Sequence, residues 1–537
     1  MTLLFLSPGR GRLLAAALCL AAVSAASASA QSELAVAPGV GTLNEAIAGD
    51  ASRPADRVYV LTRGGDYSLT APIVNDGYVL RIRAADGDGV RPVIRPGEGV
   101  GSRFLDFGAD AVLDGVFVLG VAEDGVQKGI PMRVGGTGQR LILNDCVFEG
   151  GNSRFVEVTA PDTKIRVTDS QFRNLVRPDN VSNGRAIDYR DVPADSLFIQ
   201  NSSFLNVTGF VVRFGTGSAS TALQHFIFDH NTVHTTSNDL TDSGVGNRSV
   251  EYIVTNNLFV NVNGPGQSPS DTPDGILQVN AFDGSGFSEG DRTIEIANNG
   301  LFTSPEILAY YQARTDAGDP LIPLQLIQPS SQEFIDGSSQ ATAQNNITDA
   351  VDFVSPPRLD SYIDFLTAMR DFDPNLPFWA FGTDDALYPV EQPLPEDLGY
   401  DEAEPAFMAA KRFFPLGDLN WFDDDLKQFF LDGGTVATAG GPETGGGIAL
   451  HAAYPNPTSG RLTMRLDLDA PAEVTVRVVD LLGRVVLTER AGAMAAGSGQ
   501  PLRLTVSGLP AGVYLAEVTV RGAVASGSVA QRFTVVR

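Results

Sequence analysis

Five charged residues in the first half of the chain could do chemistry together: Asp106, Arg133, Glu157, Asp188 and Arg213. Each lies in a short alternating run: Arg103-Phe104-Leu105-Asp106-Phe107, Pro131-Met132-Arg133-Val134, Arg154-Phe155-Val156-Glu157-Val158, Arg185-Ala186-Ile187-Asp188-Tyr189 and Val211-Val212-Arg213-Phe214. Strand parity turns the apolar neighbours to one face and these five to the other. If the runs stack, the five form an acid–base–acid–acid–base stripe. If the chain were to cleave an acidic sugar by elimination, it would need a base to remove the proton beside a uronate carboxylate and a cation to stabilise the enolate-like intermediate. Glu157 and Asp188, on adjacent runs, could hold Ca2+ through oxygen ligands, and Arg190 or Arg213 could neutralise the uronate. Lys164 is the lysine nearest in sequence, although it falls at the next turn and not on the stripe. The simpler reading is a salt-bridge ladder, each exposed pair contributing about 0–1 kcal/mol, on a face that binds a ligand without transforming it.

What must position these residues is a repeat. One pattern recurs as Leu141-Ile142-Leu143-Asn144-Asp145-Cys146-Val147-Phe148, then from Ile165 to Phe172, Leu197 to Phe204, Phe226 to Val233 and Tyr252 to Phe259, with a weaker copy from Ile294 to Leu301. Asp114-Gly115-Val116-Phe117 reads as an earlier copy. The spacing is irregular, mostly about 24 to 32 residues, which lies in the range of solenoid coils. Two or three short strands per coil, with no helical period between them, predict a parallel β-helix. Parallel strands stack ~4.8 Å apart, so equivalent side chains form ladders. Phe117, Phe148, Phe172, Phe204 and Phe259 are expected in one internal aromatic column. Asp145, Asp169, Asn201, Asn256 and Asn298 are expected at turns, in left-handed geometry and bonding the backbone of adjacent coils. Arg103, Arg154 and Arg185 align at strand starts, where they are expected to bond carbonyls. His225, His230 and His234 cluster in sequence, but on a strand and turn their spacing does not converge on a metal.

Ahead of the coils, residues 38–47 read as a turn and a short amphipathic helix that caps the open end of the solenoid. This entry and the coils, about Leu34 to Leu301, resemble right-handed β-helix proteins of the pectate-lyase-like superfamily, in the branch with chondroitinase-B-like and alginate lyases. The resemblance implies the fold; the lysine–arginine pairing of those lyases does not map onto this stripe.

The two ends of the chain carry addresses. Arg10 and Arg12, the apolar run Leu13–Val23 and Ala28-Ser29-Ala30 form a secretory signal at residues 1–30. Its apolar run is shorter than the ~20 residues a membrane span needs, and no later segment is apolar enough to span. At the other end, Tyr454-Pro455-Asn456-Pro457 opens a strand-rich module, Asp480-Leu481-Leu482-Gly483-Arg484 makes a turn, and Leu509-Pro510-Ala511-Gly512-Val513-Tyr514 leads a strand. Strands separated by Gly and Pro turns predict a small antiparallel sandwich. The module is similar, in order and along its length, to the C-terminal sorting domains of type IX secretion cargo. That similarity implies recognition by the type IX machinery at the outer membrane, then removal of the tail.

The formal charge of −26 argues against nucleic acid as a partner, because phosphates need neutralising by bases. It disfavours other polyanions too, unless a local basic patch reverses the field. Cleavage after residue 30 would leave Cys146 as the only cysteine, so no intramolecular disulfide is expected. The expected architecture is all-β: a right-handed parallel β-helix at 31–355, a helical and irregular capping region at 356–432, a Gly-rich linker at 433–447 and a β-sandwich at 448–537. Within the capping region, Phe414–Trp421 is expected to seal the C-terminal end of the solenoid. The expected function is that of a secreted or cell-surface β-helix binding extracellular polysaccharide as adhesin or scaffold. The alternative is a Ca2+-dependent lyase of an acidic polysaccharide.

Overall fold

Short runs of alternating β-branched and aromatic residues, broken every few positions by Gly, Asn or Asp, can form strands but not long ones. The computed structural model describes residues 32–215, 221–380, 395–401, 404–422, 424–431, 443–444, 448–450, 453, 458, 460–480, 484–510, 512–522 and 526–535. The expected signal and most of the expected linker, with Tyr454, Pro455, Asn456, Pro457 and Gly483, lie outside these residues. No helix of the described residues is long and apolar enough to cross a membrane.

The strands stack into three parallel sheets of eleven, nine and six strands, a right-handed parallel β-helix. A typical coil passes from Arg154–Val158 in the six-stranded sheet to Thr163–Thr168 in the eleven-stranded sheet and Gln171–Leu175 in the nine-stranded sheet. Inward residues form one continuous core from Val36 to Ala341. At its start, Leu43 and Ile47 of the helix Thr42–Gly49 are buried in that core, as a cap requires.

Phe148, Phe172 and Phe204 are cross-strand neighbours, with ring centroids 4.6 and 5.3 Å apart. Val233 takes the next position, and Phe228 from the neighbouring sheet fills the gap, 5.8 Å from Phe204 and 6.4 Å from Phe259. Phe117 is not in the column. It pairs with Val147, and Val118 with Phe148, because Gly115, at φ 68°, takes the left-handed turn position that Asp145 takes one coil on. The first copy is therefore displaced by one residue, and a one-residue shift reverses the face.

Asp145, Asp169, Asn201, His230, Asn256 and Asn298 all adopt positive φ, between 47° and 61°, which Asp, Asn and His tolerate best. The ladder itself is one residue later. The backbone N–H groups of Cys146, Ser170, Ser202, Asn231, Asn257 and Asn299 each donate to the side-chain oxygen of the next coil, at 2.8–3.2 Å. The left-handed residues do bond the backbone of the next coil, Asp145 N–H to Thr168 O, Asp169 N–H to Gln200 O and Asn201 N–H to Asp229 O, while the side-chain ladder falls on their neighbours.

Phe414–Trp421 does not seal the C-terminal end. Leu324, Ile327 and Ile335 join the core there instead. The described residues of 353–380 and 395–431 run back along the outer face of the nine-stranded sheet: Gly417 N–H donates to Asn256 O, Asp418 N–H to Thr232 Oγ1 and Asn420 Nδ2 to Asn201 O. Strands Ser203–Val207 and Thr232–Thr236 are consequently buried on both faces. The physical reason is that outward Leu205, Leu258 and Val260 need apolar cover, which Tyr362, Leu398 and Leu416 provide.

The C-terminal module has its own core between two four-stranded antiparallel sheets. Glu443–Thr444, inside the expected linker, already pairs with Ile448–Leu450. Tyr514 donates its hydroxyl to Pro510 O at 2.9 Å and stacks on Phe533.

Candidate functional site: an arginine-lined face

The six-stranded sheet places the stripe in strict register: Asp106 beside Arg133, Arg133 beside Glu157, Glu157 beside Asp188, Asp188 beside Arg213. Their flanking residues Leu105, Phe107, Met132, Val134, Val156, Val158, Ile187 and Tyr189 are fully buried. An isolated bridge from Val212 to Thr241 extends the column by Asp242, which the sequence reading missed because its coil keeps no strand of this type.

Each of the three expected carboxylates, Asp106, Glu157 and Asp188, is held by guanidinium groups. Arg133 grips Asp106 with two bonds of 2.7 Å. Glu157 receives Arg103 at 2.7 and 3.0 Å on one oxygen and Arg154 at 2.6 and 2.9 Å on the other. Asp188 receives Arg185 at 2.8 Å, with Arg190 and Arg213 each at 3.4 Å and Arg154 at 3.8 Å. Arg103, Arg154 and Arg185 therefore bond carboxylates, not the expected carbonyls. The readable signal was the Arg-x-x-acid spacing of Arg154–Glu157 and Arg185–Asp188; ideal strand alternation, which puts residues three apart on opposite faces, concealed it.

Burial and charge pull against each other here. Burial would raise the Glu157 carboxyl, but Arg154 and then Arg103 outweigh it and hold the group below the usual range. Asp242 lacks so close a partner, with Arg213 at 3.9 Å, and burial raises it. Burial also lowers Arg185, despite Asp188. The side chains of Glu157 and Asp188 are 3% and 0% exposed, against 45% for Arg103, 39% for Arg190 and 36% for Arg133. The acids sit at the bottom and solvent meets arginine.

This arrangement does not fit Ca2+. That ion takes six to eight oxygens, whereas the oxygens of Glu157 and Asp188 are occupied by arginine donors. Among the described residues no group of three or more His, Cys, Asp or Glu could hold a metal. Lys164 is not part of the face. It lies on the eleven-stranded sheet, between Arg140 and Ser196, and pairs with Asp195 at 3.4 Å. The histidines also separate: His225 pairs with Glu251 at 2.8 Å on the eleven-stranded sheet, His230 is buried in a turn, and His234 lies in the nine-stranded sheet, where burial lowers it to about 3.

The opposite side of the solenoid is closed by polar bolts. Arg173 is buried between Glu149 at 3.2 Å and Glu396 at 3.1 Å. Trp421 Nε1 donates to Ser203 Oγ at 2.8 Å, and Ser203 Oγ donates to Asp418 at 2.7 Å. Burial pushes Asp418 up to about 6. A carboxyl raised on folding stabilises fully below its unfolded pKa and loses that contribution as pH rises through the folded value. The neighbouring charges are Asp169 and Lys427, paired with each other at 2.7 Å. Asp418→Asn is therefore expected to slow proteolysis of residues 404–422 at pH 8 and to leave it unchanged near pH 4.

A right-handed parallel β-helix with one arginine-rich face, followed by an antiparallel sandwich, defines the class. Residues 452–529 match the family of secretion system C-terminal sorting domains. The chain is thus cargo of the type IX secretion system, delivered to the cell surface or the extracellular space. No curated protein matches the chain. Among solved structures it is similar to the PL6 family alginate lyase AlyGC, at 18% identity and a TM-score of 0.33, over 59% of this chain and 40% of that one. The chain spans well under half the length of that enzyme's chain.

Proposed function

We propose that the protein is a secreted β-helix that binds an acidic extracellular polysaccharide along its six-stranded face, as an adhesin or scaffold. The observation that carries the reading is charge. Five guanidinium groups, of Arg103, Arg154, Arg185, Arg190 and Arg213, surround two buried carboxylates, on a chain whose net charge is −26. Such a local reversal of sign attracts anions, and the planar fork of arginine suits carboxylate and sulfate groups. The oxygens of Glu157 and Asp188 already accept from arginine, which disfavours either as the base that takes a substrate proton.

The test is a titration with polyuronates and sulfated glycosaminoglycans. Arg103→Ala/Arg190→Ala is expected to weaken binding by about tenfold or more, the equivalent of one charge-assisted bond, and to reduce its salt dependence. Glu157 keeps Arg154 and Asp188 keeps Arg185 in this variant, so melting should change little. Binding that is absent, or indifferent to both substitutions, overturns the reading. Unsaturated products absorbing in the ultraviolet would replace it with a lyase.

A further inference from the structure

The sandwich is closed on one side and open on the other. On the closed side, Thr458 bridges to Val535 and its N–H donates to Thr534 O at 2.8 Å. On the open side, Val485–Met494 is the edge of one sheet and Gly497–Thr505 the edge of the other. These two strands follow each other in the chain, and among the described residues no strand pairs with their outer edges.

Natural sheets guard such edges with charged side chains, proline, short length or bulges. Val485–Met494 runs ten residues without proline, and its two charges, Glu489 and Arg490, lie mid-strand, so the stretch Val485–Thr488 carries none. It does carry two bulges. Val478 pairs with Leu487 and Val479 with Val485, leaving Val486 over; Val474 pairs with Gly492 and Thr475 with Arg490, leaving Ala491 over. A bulge re-aims a side chain, and here the result is apolar exposure. Val485 is 46% and Val486 39% exposed, the two large exposed hydrophobics among the described residues of this module. Unpaired backbone and exposed apolar side chains thus coincide on one strand.

We propose that Val485–Met494 is the docking edge of the sorting domain, where an extended segment of the outer-membrane export machinery adds a strand. The partner segment presents free backbone N–H and C=O groups and apolar side chains to cover Val485 and Val486. Strand addition reads backbone more than side chains, which suits machinery that must accept many cargoes. The inference rests on the sorting role of residues 452–529 and adds where recognition happens.

The experiment follows export of the full chain in a bacterium that carries the type IX machinery. Val485→Lys/Val486→Lys places two charges where an apolar strand must seat, and the exported fraction is expected to fall by about tenfold or more. The purified variant should melt at the parent temperature, since both side chains already face solvent. Thr519→Lys/Ser528→Lys adds the same charge on the outer face of the same sheet and should export normally. Normal export of the edge variant, or equal loss in the outer-face control, overturns the proposal. So does a purified chain that dimerises through this edge while the edge variant still exports. Deleting residues 448–537 separates the two levels: if that deletion exports, the sorting role itself fails.

Discussion

Replacing Asp188 with alanine should destabilise the solenoid by about 3–5 kcal/mol, the usual cost of leaving a buried charge without its partner. The same change should tighten polyanion binding. Asp188 is fully buried and lies among Arg185, Arg190 and Arg213. Arg185 is itself only 10% exposed and cannot recover its lost partner from water. Removing the carboxylate adds one more uncompensated positive charge to a face already rich in them. Stability and affinity therefore move in opposite directions, measured by urea unfolding and by polyuronate titration at fixed salt. A double variant Asp188→Ala/Arg185→Met should recover much of the stability, because a buried pair replaced by apolar groups is often close to neutral. A metal ligand or a catalytic base at this position gives the other pattern: both binding and turnover would fall. That contrast makes Asp188 the residue on which the scaffold and lyase readings disagree most.

The face could be read from sequence because a solenoid turns a one-dimensional repeat into a column. Once Val156 and Ile187 are assigned inward, Glu157 and Asp188 must point outward beside each other, and the register follows the predicted order throughout. The Phe148–Phe172–Phe204 column was legible for the same reason. What parity could not supply was the partner of each charge. Arg154 reaches Glu157 across three residues, where ideal alternation separates them, so the ladder looked sparser than it is and seemed to leave room for a cation. The Phe117 error has a similar origin: it rests on counting from the aromatic residue, whereas the fixed point is the left-handed turn residue, Gly115 in that coil.

The segment over the nine-stranded sheet was illegible for a different reason. Its anchors join Ser203 to Asp418 and Asn201 to Asn420, across more than two hundred residues, and no local pattern records such a pairing. A hint existed in the coils. Glu149, Arg173, Asn174 and Asn206 all fall at outward or turn positions in strands otherwise rich in apolar residues, and polar groups buried on both faces of a sheet require partners. Asn174 Nδ2 donates to Glu149 at 2.6 Å and Asn206 Nδ2 to Asn174 at 2.9 Å, a buried network that only a covering layer explains.

That covering layer is where the second large effect is expected. Arg173→Met leaves Glu149 and Glu396 buried and facing each other, and should cost about 3–5 kcal/mol, concentrated in the covering segment. Burial already raises the Glu149 carboxyl even with Arg173 beside it, so loss of the cation raises it further. The sign of the pH dependence follows. A carboxyl raised on folding destabilises most where it must be ionised, so the variant should be worst at pH 8 and recover towards pH 5. Limited proteolysis of residues 395–422 reads this directly, with hydrogen exchange in Ser203–Val207 reporting whether the sheet beneath becomes exposed. Glu149→Gln/Arg173→Met/Glu396→Gln, which removes all three charges, should restore protection and abolish the pH slope. If the single variant is instead as resistant as the parent at pH 8, the segment is held by its apolar contacts, Tyr362, Leu398 and Phe414, and the buried ions are passengers. Either way the two sheets divide their roles by cover: strands Ser203–Val207 and Thr232–Thr236 of the nine-stranded sheet are sealed by the chain itself, and the six-stranded sheet keeps Arg103, Arg133 and Arg190 in water.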